Sequence, residues 1–454
     1  VLREDTGNKY FNSDVTAVFT VKEKNFYKDG FDLNIYKNGN RIESPNIEWS
    51  DEADDIHIGR CIISAENNDG SYVFDVSCSD LSQNTGRYNS SEDGEYTEII
   101  IDTTAPVINI SYDISSGNTD TDFEGYEREY FDATRTAEIT VIEENFDKEL
   151  VSFFISSRNV KGEDIGERYS LSEWTDNGNK HTLTIIYPGD ANYTFNVDKC
   201  TDIAGNDAAY KRTDRFTVDK TPPENTGISF SKGLLDTVIS GIPYCFYRTN
   251  MKVNISAYDD VSGVRSFKYS CLKAAGVRGV NTELKERIID RERIVYSDGG
   301  AAAEVSFDIP GDIDRPDSQF NGTVRFSATD RSGNSSVEIS DQKRIVVDSI
   351  SPVSSVNFNS PVRTLDDVSY YNGAINADIR IDEANFFADD VNIKVLKDGE
   401  EYKISPLWTD QSEDIHNGRF SITEDGEYII KVSYTDRSTN QMAEYVSQKM
   451  IIDT

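Results

Sequence analysis

The chain has 454 residues, with 46 Lys or Arg against 81 Asp or Glu, a formal net charge of −35. Hydrophobic residues at 37% and aromatics at 11% are too many for a disordered acidic tail. So negative a surface repels phosphate backbones and anionic lipid, setting aside nucleic-acid and membrane-surface roles, and no stretch approaches the ~18 apolar residues that span a bilayer.

At ~100–200 residues per domain the length suggests about three domains, and internal repeats raise the count to four. The first unit opens on Tyr10-Phe11, runs through an alternating Val-Thr-Ala-Val-Phe-Thr-Val stretch and reaches Asn25-Phe26. Then come Trp49-Ser50-Asp51, an Asp69-Gly70-Ser71-Tyr72 step into an alternating strand, and a turn from Asp80 to Asn84. It closes on Asp102-Thr103-Thr104-Ala105-Pro106. Few residues precede Tyr10, whereas the next unit has room for a strand and a loop between Pro106 and Tyr130. The first unit's opening strand is therefore expected to be short or missing.

The second unit repeats the order with Tyr130-Phe131, Asn145-Phe146, Trp174-Thr175-Asp176, Asp190-Ala191-Asn192-Tyr193 and Asp202 to Asn206, ending at Asp219-Lys220-Thr221-Pro222. The third is diverged. It carries Phe246-Tyr247, has Asp259-Asp260-Val261-Ser262-Gly263 in place of the Asn-Phe block, lacks the Trp, and inserts Lys273 to Arg293 before Asp330 to Asn334 and Asp348. The fourth returns to type with Tyr370-Tyr371, Asn385-Phe386, Trp408-Thr409-Asp410, Asp425-Gly426-Glu427-Tyr428 and Asp436 to Asn440. The sequence stops at Asp453-Thr454, a repeat boundary, shows no signal-peptide pattern, and reads as a segment of something longer.

Stretches such as Val73 to Cys78 and Ile429 to Tyr434 alternate apolar and polar residues, as half-buried strands do, and no segment carries an amphipathic-helix pattern. The expected fold is all-β: four tandem immunoglobulin-like β-sandwiches in an extended array, spanning 1–103, 104–220, 221–350 and 351–454. Their hinges should be stiff, because Pro106, Pro222, Pro223 and Pro352 restrict the backbone. The Asp-Gly-x-Tyr step predicts a tyrosine corner, with the hydroxyl bonded back to the upstream backbone.

The ordered set of Glu-x-Asn-Phe, Trp-Thr-Asp, Asp-Gly-x-Tyr, Thr-Asp-x-Ala-Gly-Asn and Val-Asp-Lys-Thr-Pro-Pro resembles the tandem bacterial immunoglobulin-like domains of large surface proteins, mostly of Gram-positive anaerobes. The resemblance covers essentially the whole chain. It implies a non-enzymatic stalk or adhesive segment of a bacterial cell-surface or secreted protein, monomeric, presenting or binding protein or glycan ligands. The alternative is an accessory carbohydrate-binding or spacer array of a secreted polysaccharide-degrading enzyme.

Three kinds of residue could carry chemistry. His57, His181 and His416 occupy equivalent positions, one per domain, with no nucleophile at a recognisable spacing, so they read as structural. Trp49, Trp174 and Trp408 are either sugar platforms or shared packing over the core. The turn residues Asp80, Asn84, Asp202, Asn206, Asp330, Asn334, Asp436 and Asn440, with the hinge residues Asp102, Asp219 and Asp348, offer the oxygen donors Ca2+ takes. The resemblance adds that some bacterial tandem immunoglobulin-like domains bind Ca2+ between neighbours. The competing reading is that each turn Asp accepts N–H bonds of its own turn and each hinge Asp caps a strand end. Five cysteines allow Cys61–Cys78 and Cys245–Cys271 bridges with Cys200 alone, or buried free thiols throughout.

Overall fold

A computed structural model describes residues 4–5, 7–93, 98–114, 117–274, 281–283, 286–309 and 319–454. Its strands fall into four sets, over 4–101, 107–218, 224–347 and 353–452, and each set forms two sheets that face one another. The chain is four tandem immunoglobulin-like sandwiches. The first two make up one compact unit, Val1–Lys220, and the last two a second, Thr221–Thr454.

The second sandwich gives the pattern. One sheet runs Val107–Tyr112, Arg135–Ile142, Lys180–Tyr187 and Ser170–Leu171. The other runs Asn118–Thr121, Glu127–Phe131, Thr213–Val218, Ala191–Cys200 and Val151–Arg158. Every pairing is antiparallel except Glu127–Phe131 with Thr213–Val218, which run parallel. The same parallel pairing recurs as Asn8–Phe11 with Glu98–Ile101, Ile242–Tyr247 with Arg344–Val347, and Val368–Tyr371 with Lys449–Ile452.

Period-two sequence produces these sheets because successive side chains point to opposite faces. In Arg135–Ile142, Ala137, Ile139 and Val141 are fully buried between the sheets, while Glu138 and Ile142 face out. Ile375, Ala377, Ile379 and Ile381 do the same in the fourth sandwich, and Met251, Val253, Ile255 and Ala257 in the third. Short 3-10 turns such as Lys148–Leu150 and Ala388–Asp390 follow the Asn-Phe blocks. No helix among the described residues is long and apolar enough to cross a membrane.

The tyrosine corner is present in three sandwiches: the Tyr72, Tyr193 and Tyr428 hydroxyls donate to the carbonyls of Asn68, Gly189 and Glu424 at 2.6, 2.8 and 2.8 Å. All five cysteines are free thiols; Cys61, Cys200, Cys245 and Cys271 are buried and Cys78 is half-buried. In the third sandwich the inserted segment widens a sheet, since Asn281–Glu283 and Arg287–Asp290 both pair with Val264–Ala274. Residues 275–280 and 284–285 of that insertion lie outside the described residues.

The first sandwich departs from its sisters at one edge. Its smaller sheet has three strands, Val15–Lys22, Ile56–Ile63 and Glu48–Ala53. Elsewhere a further strand (Val107–Tyr112, Glu224–Phe230 or Val353–Phe358) lies against the outer edge of the counterpart of Val15–Lys22. Among the described residues, none fills that place in the first sandwich.

Candidate metal centre

The turn that opens with Asp and closes with Asn is built the same way in each repeat. In the second sandwich Asp202 Oδ1 accepts the backbone N–H groups of Gly205 and Asn206 at 2.6 and 2.8 Å, and Oδ2 accepts Asn206 Nδ2 at 2.7 Å. Asp80 with Asn84, Asp330 with Asn334 and Asp436 with Asn440 repeat the bonds to the Asn backbone and side chain. A short side-chain acceptor thus satisfies backbone donors that the turn leaves over.

The hinge Asp is placed by the last strand. The backbone N–H groups of Asp102, Asp219, Asp348 and Asp453 donate to the carbonyls of Phe11, Phe131, Tyr247 and Tyr371, extending the parallel pairing by one rung. Asp102 Oδ1 then accepts from Thr104 N–H, and Asp348 Oδ1 from Ile350 N–H, each at 3.0 Å. Next to the hinge, Asp69, Asp190 and Asp425 accept from the backbone N–H groups of Thr103, Lys220 and Thr454.

Within each compact unit these two features meet. Asn206 Nδ2 also donates to the Asp102 carbonyl at 2.9 Å, and Asn440 Nδ2 to the Asp348 carbonyl at 2.9 Å. A third element joins them, the Glu-x-Asn-Phe loop. Asn145 Nδ2 donates to Asp102 Oδ2 at 2.6 Å and Asn385 Nδ2 to Asp348 Oδ2 at 2.7 Å. Glu143 and Glu383 accept from the backbone N–H groups of Asn145 and Asn385 at 2.7 and 2.8 Å. Small apolar contacts flank both joints: Tyr10 with Ile203 and Ala204 in one unit, Phe246 with Phe387 at 6.1 Å in the other.

Three carboxylates therefore converge at each joint. One oxygen from each of Asp102, Glu143 and Asp202 lies within 4.8 Å of the other two, and the same is true of Asp348, Glu383 and Asp436. All six residues are buried. Among the described residues no lysine or arginine forms an ion pair with any of them. Burying like charges without a counter-charge is costly, and it raises the carboxyls of Glu143, Glu383, Asp202 and Asp436. Burial first, then the Asp102 and Asp202 charges, push Glu143 up to about 7. Burial and the neighbouring Asp348, joined by a hydrogen bond, push Glu383 up to about 9. Asp202 and Asp436 are raised by burial as well.

A second observation comes from Asn440. It is completely buried, its Nδ2 bridges Asp436 and Asp348, and its Oδ1 accepts no hydrogen bond. A buried amide oxygen without a donor costs on the order of 1–3 kcal/mol unless something else meets it. Carboxylate and amide oxygens with no nitrogen or sulfur donor suit a hard cation such as Ca2+. A crevice of about 510 Å3, lined by Asp69, Asp102, Thr104, Glu143 and Asn145, opens beside the first joint.

The sequence-predicted residues divide accordingly. Asp102, Asp202 and Asn206 meet at one joint, and Asp348, Asp436 and Asn440 at another. Asp80 and Asn84 form an exposed turn, where the bonds from Asn84 hold the Asp80 carboxyl below its ordinary range. In the third sandwich Asp330 lies within 4.8 Å of Asp259, whose Oδ1 accepts three backbone N–H groups; burial pushes Asp330 up to about 7. Asp219 is fully buried at its own hinge. Sequence reasoning assigned no metal role to Glu143, Glu383, Asn145 or Asn385, although the fixed spacing of the Glu-x-Asn-Phe block was the available signal.

The histidines and tryptophans hold that loop. His181 Nδ1 meets Asp176 Oδ1 at 2.6 Å, and its Nε2 meets the carbonyl of Glu143 at 2.8 Å. His416 bridges Asp410 and the Glu383 carbonyl at 2.8 and 2.9 Å, and His57 bridges Asp51 and the Glu23 carbonyl at 2.6 and 2.9 Å. Each imidazole stacks on the Phe of its Asn-Phe block, at 4.5, 4.0 and 4.2 Å in the first, second and fourth sandwiches. Trp49, Trp174 and Trp408, all half-buried, sit 4.7, 5.0 and 5.0 Å from the same Phe rings.

No protein-family model matches the chain, and no curated protein matches it. Solved structures similar to it include a titin I67–I69 variant at 13% identity and TM-score 0.32, covering 77% of this chain and 98% of that one. The mouse nectin-like molecule 4 ectodomain aligns at 14% identity and TM-score 0.27, covering 70% and 94%.

Proposed function

We propose that the chain is a non-enzymatic stalk or adhesion-type segment of a bacterial cell-surface protein, whose sandwich joints are braced by Ca2+. The observation that carries this reading is the repeated joint: three buried carboxylates from a hinge, a loop and a turn, with an Asn amide lodged between two of them. Asp102, Glu143 and Asp202 would hold one ion, and Asp348, Glu383, Asp436 and the Asn440 amide oxygen another. The ion would supply the positive charge that the buried carboxylates lack, tying the second and fourth sandwiches to the hinges before them. Such a segment displays a distal module, or a protein or glycan ligand surface, outside the cell.

A thermal-melting and calorimetric titration of the whole chain tests this. Millimolar Ca2+ should raise Tm, and a ligand at a hundred times its Kd stabilises by about 2.7 kcal/mol per site. Removing both joint glutamates, Glu143→Gln with Glu383→Gln, should abolish most of that gain. Identical melting and identical small-angle scattering in Ca2+ and in chelator would sink the proposal.

A further inference from the structure

The joint between the third and fourth sandwiches carries a row of hydrogen-bonded side chains that its sister joint lacks. Arg344 Nε donates to Asn321 Oδ1 at 2.7 Å, and Asn321 Nδ2 donates to Asn385 Oδ1 at 2.8 Å. Asn385 Nδ2 then donates to Asp348 Oδ2 at 2.7 Å. Both asparagines are buried. Gln319 Nε2 donates to the other oxygen of Asp348 at 2.9 Å.

The direction of this row is set at both ends. A guanidinium only donates and a carboxylate only accepts, whereas a primary amide does both. With Arg344 at one end and Asp348 at the other, each amide has one orientation in which both of its contacts are hydrogen bonds. Turning over Asn321 sets N–H against the guanidinium and oxygen against the Asn385 oxygen. Turning over Asn385 sets N–H against N–H and its oxygen against Asp348. Asn385 therefore presents a donor to Asp348. The amide oxygen left for an ion is that of Asn440, fully buried, whose Nδ2 is taken by Asp436 and by the Asp348 carbonyl.

The sister joint is built differently behind its hinge. Asn321 pairs with Val346, two residues before Asp348; in the same place Ser71 pairs with Ile100, two residues before Asp102. Arg344 lies four residues before Asp348, and four before Asp102 lies Glu98. A carboxylate cannot start a row of this direction. Asn145 accordingly meets Asp102 with no such row behind it.

We infer that Asn321, oriented by Arg344, is a positioning residue for the ion site at Asp348, Glu383 and Asp436. It fixes the Asn385 amide as a donor, and that donor holds the Asp348 carboxylate in place ahead of the ion. The inference rests on the reading of the joints as Ca2+ sites. A carboxylate pinned from behind has less freedom to lose when metal binds, and removing such partners lowers metal affinity about 10–100-fold.

A calorimetric Ca2+ titration of the whole chain carrying Glu143→Gln isolates this joint. Asn321→Leu, close to Asn in shape but unable to pass on a hydrogen bond, should weaken the ion there about 10–100-fold. Arg344→Met cuts the row at its half-buried end and should act in the same direction, so the test does not hang on one variant's folding. Arg344→Lys, whose head group still only donates, should keep the affinity of the parent. Because Asn321 acts through Asn385, adding Asn321→Leu to an Asn385→Ala chain should change the affinity by less than about twofold. A full loss in that background would mean that Asn321 acts by packing alone and would overturn the inference. So would a lowered Tm with unchanged Kd in Asn321→Leu and Arg344→Met. No Ca2+ uptake by the parent would overturn the joint reading itself, and the inference with it.

Discussion

The same Asp-to-Asn turn behaves in opposite ways depending on where it sits. Bonds from Asn84 lower the exposed Asp80 carboxyl, whereas burial raises Asp202 and Asp436 despite the same bonds. Desolvation therefore outweighs hydrogen bonding once the turn is covered by the neighbouring hinge. Glu383 carries the largest consequence. Between its ordinary 4.5 and about 9, the folded chain keeps a proton that the unfolded chain has released. Folding then binds protons, so stability falls as pH rises through that window. In chelator, the Thr221–Thr454 half should melt at a lower temperature at pH 8 than at pH 5, and Glu383→Gln should flatten the slope; a profile unchanged by the substitution would count against it. Asn385→Ala removes a buried donor to Asp348 and should cost about 1–3 kcal/mol in chemical denaturation.

At the scale of elements, the Glu-x-Asn-Phe loop is held from behind by an imidazole and from the side by an indole. His416→Ala leaves the Glu383 carbonyl without its partner and removes the ring stacked on Phe386. It should lower Tm, and it should weaken Ca2+ binding as well, although His416 lies outside the carboxylate cluster. Gly418 lies directly under Trp408, where an added Cβ would come within 2.8 Å of the indole. Gly418→Val should destabilise the fourth sandwich by about 1–3 kcal/mol through overpacking, read from urea midpoints.

These elements also mark how far the sequence could be read. The alternation, the tyrosine corners, the hinge Asp and the Asp-to-Asn turns are local patterns, and each appears where its spacing places it. The joint itself is not local. Glu143 lies 41 residues after Asp102 and 59 before Asp202. Only the strand crossings bring them together, so Glu143 and Asn145 look like ordinary loop residues until the fold is known.

On the scale of the whole molecule, repetition turns one local solution into a property of the chain. In each sandwich a strand near its N-terminal end runs parallel to the last strand, and the hinge Asp adds a final rung to that pairing. If the ends of a sandwich are pulled apart along the chain, the load reaches these two strands once any strand that precedes them has come away from its edge. Their backbone bonds then bear it together in shear and cannot open singly, as they would if peeled from one end. Force spectroscopy with handles at successive hinges should accordingly record higher rupture forces than handles placed across the sheet, at the Asn38-Gly39 turn and a hinge. A chain of such units is mechanically strongest in the direction its own connectivity would be stretched.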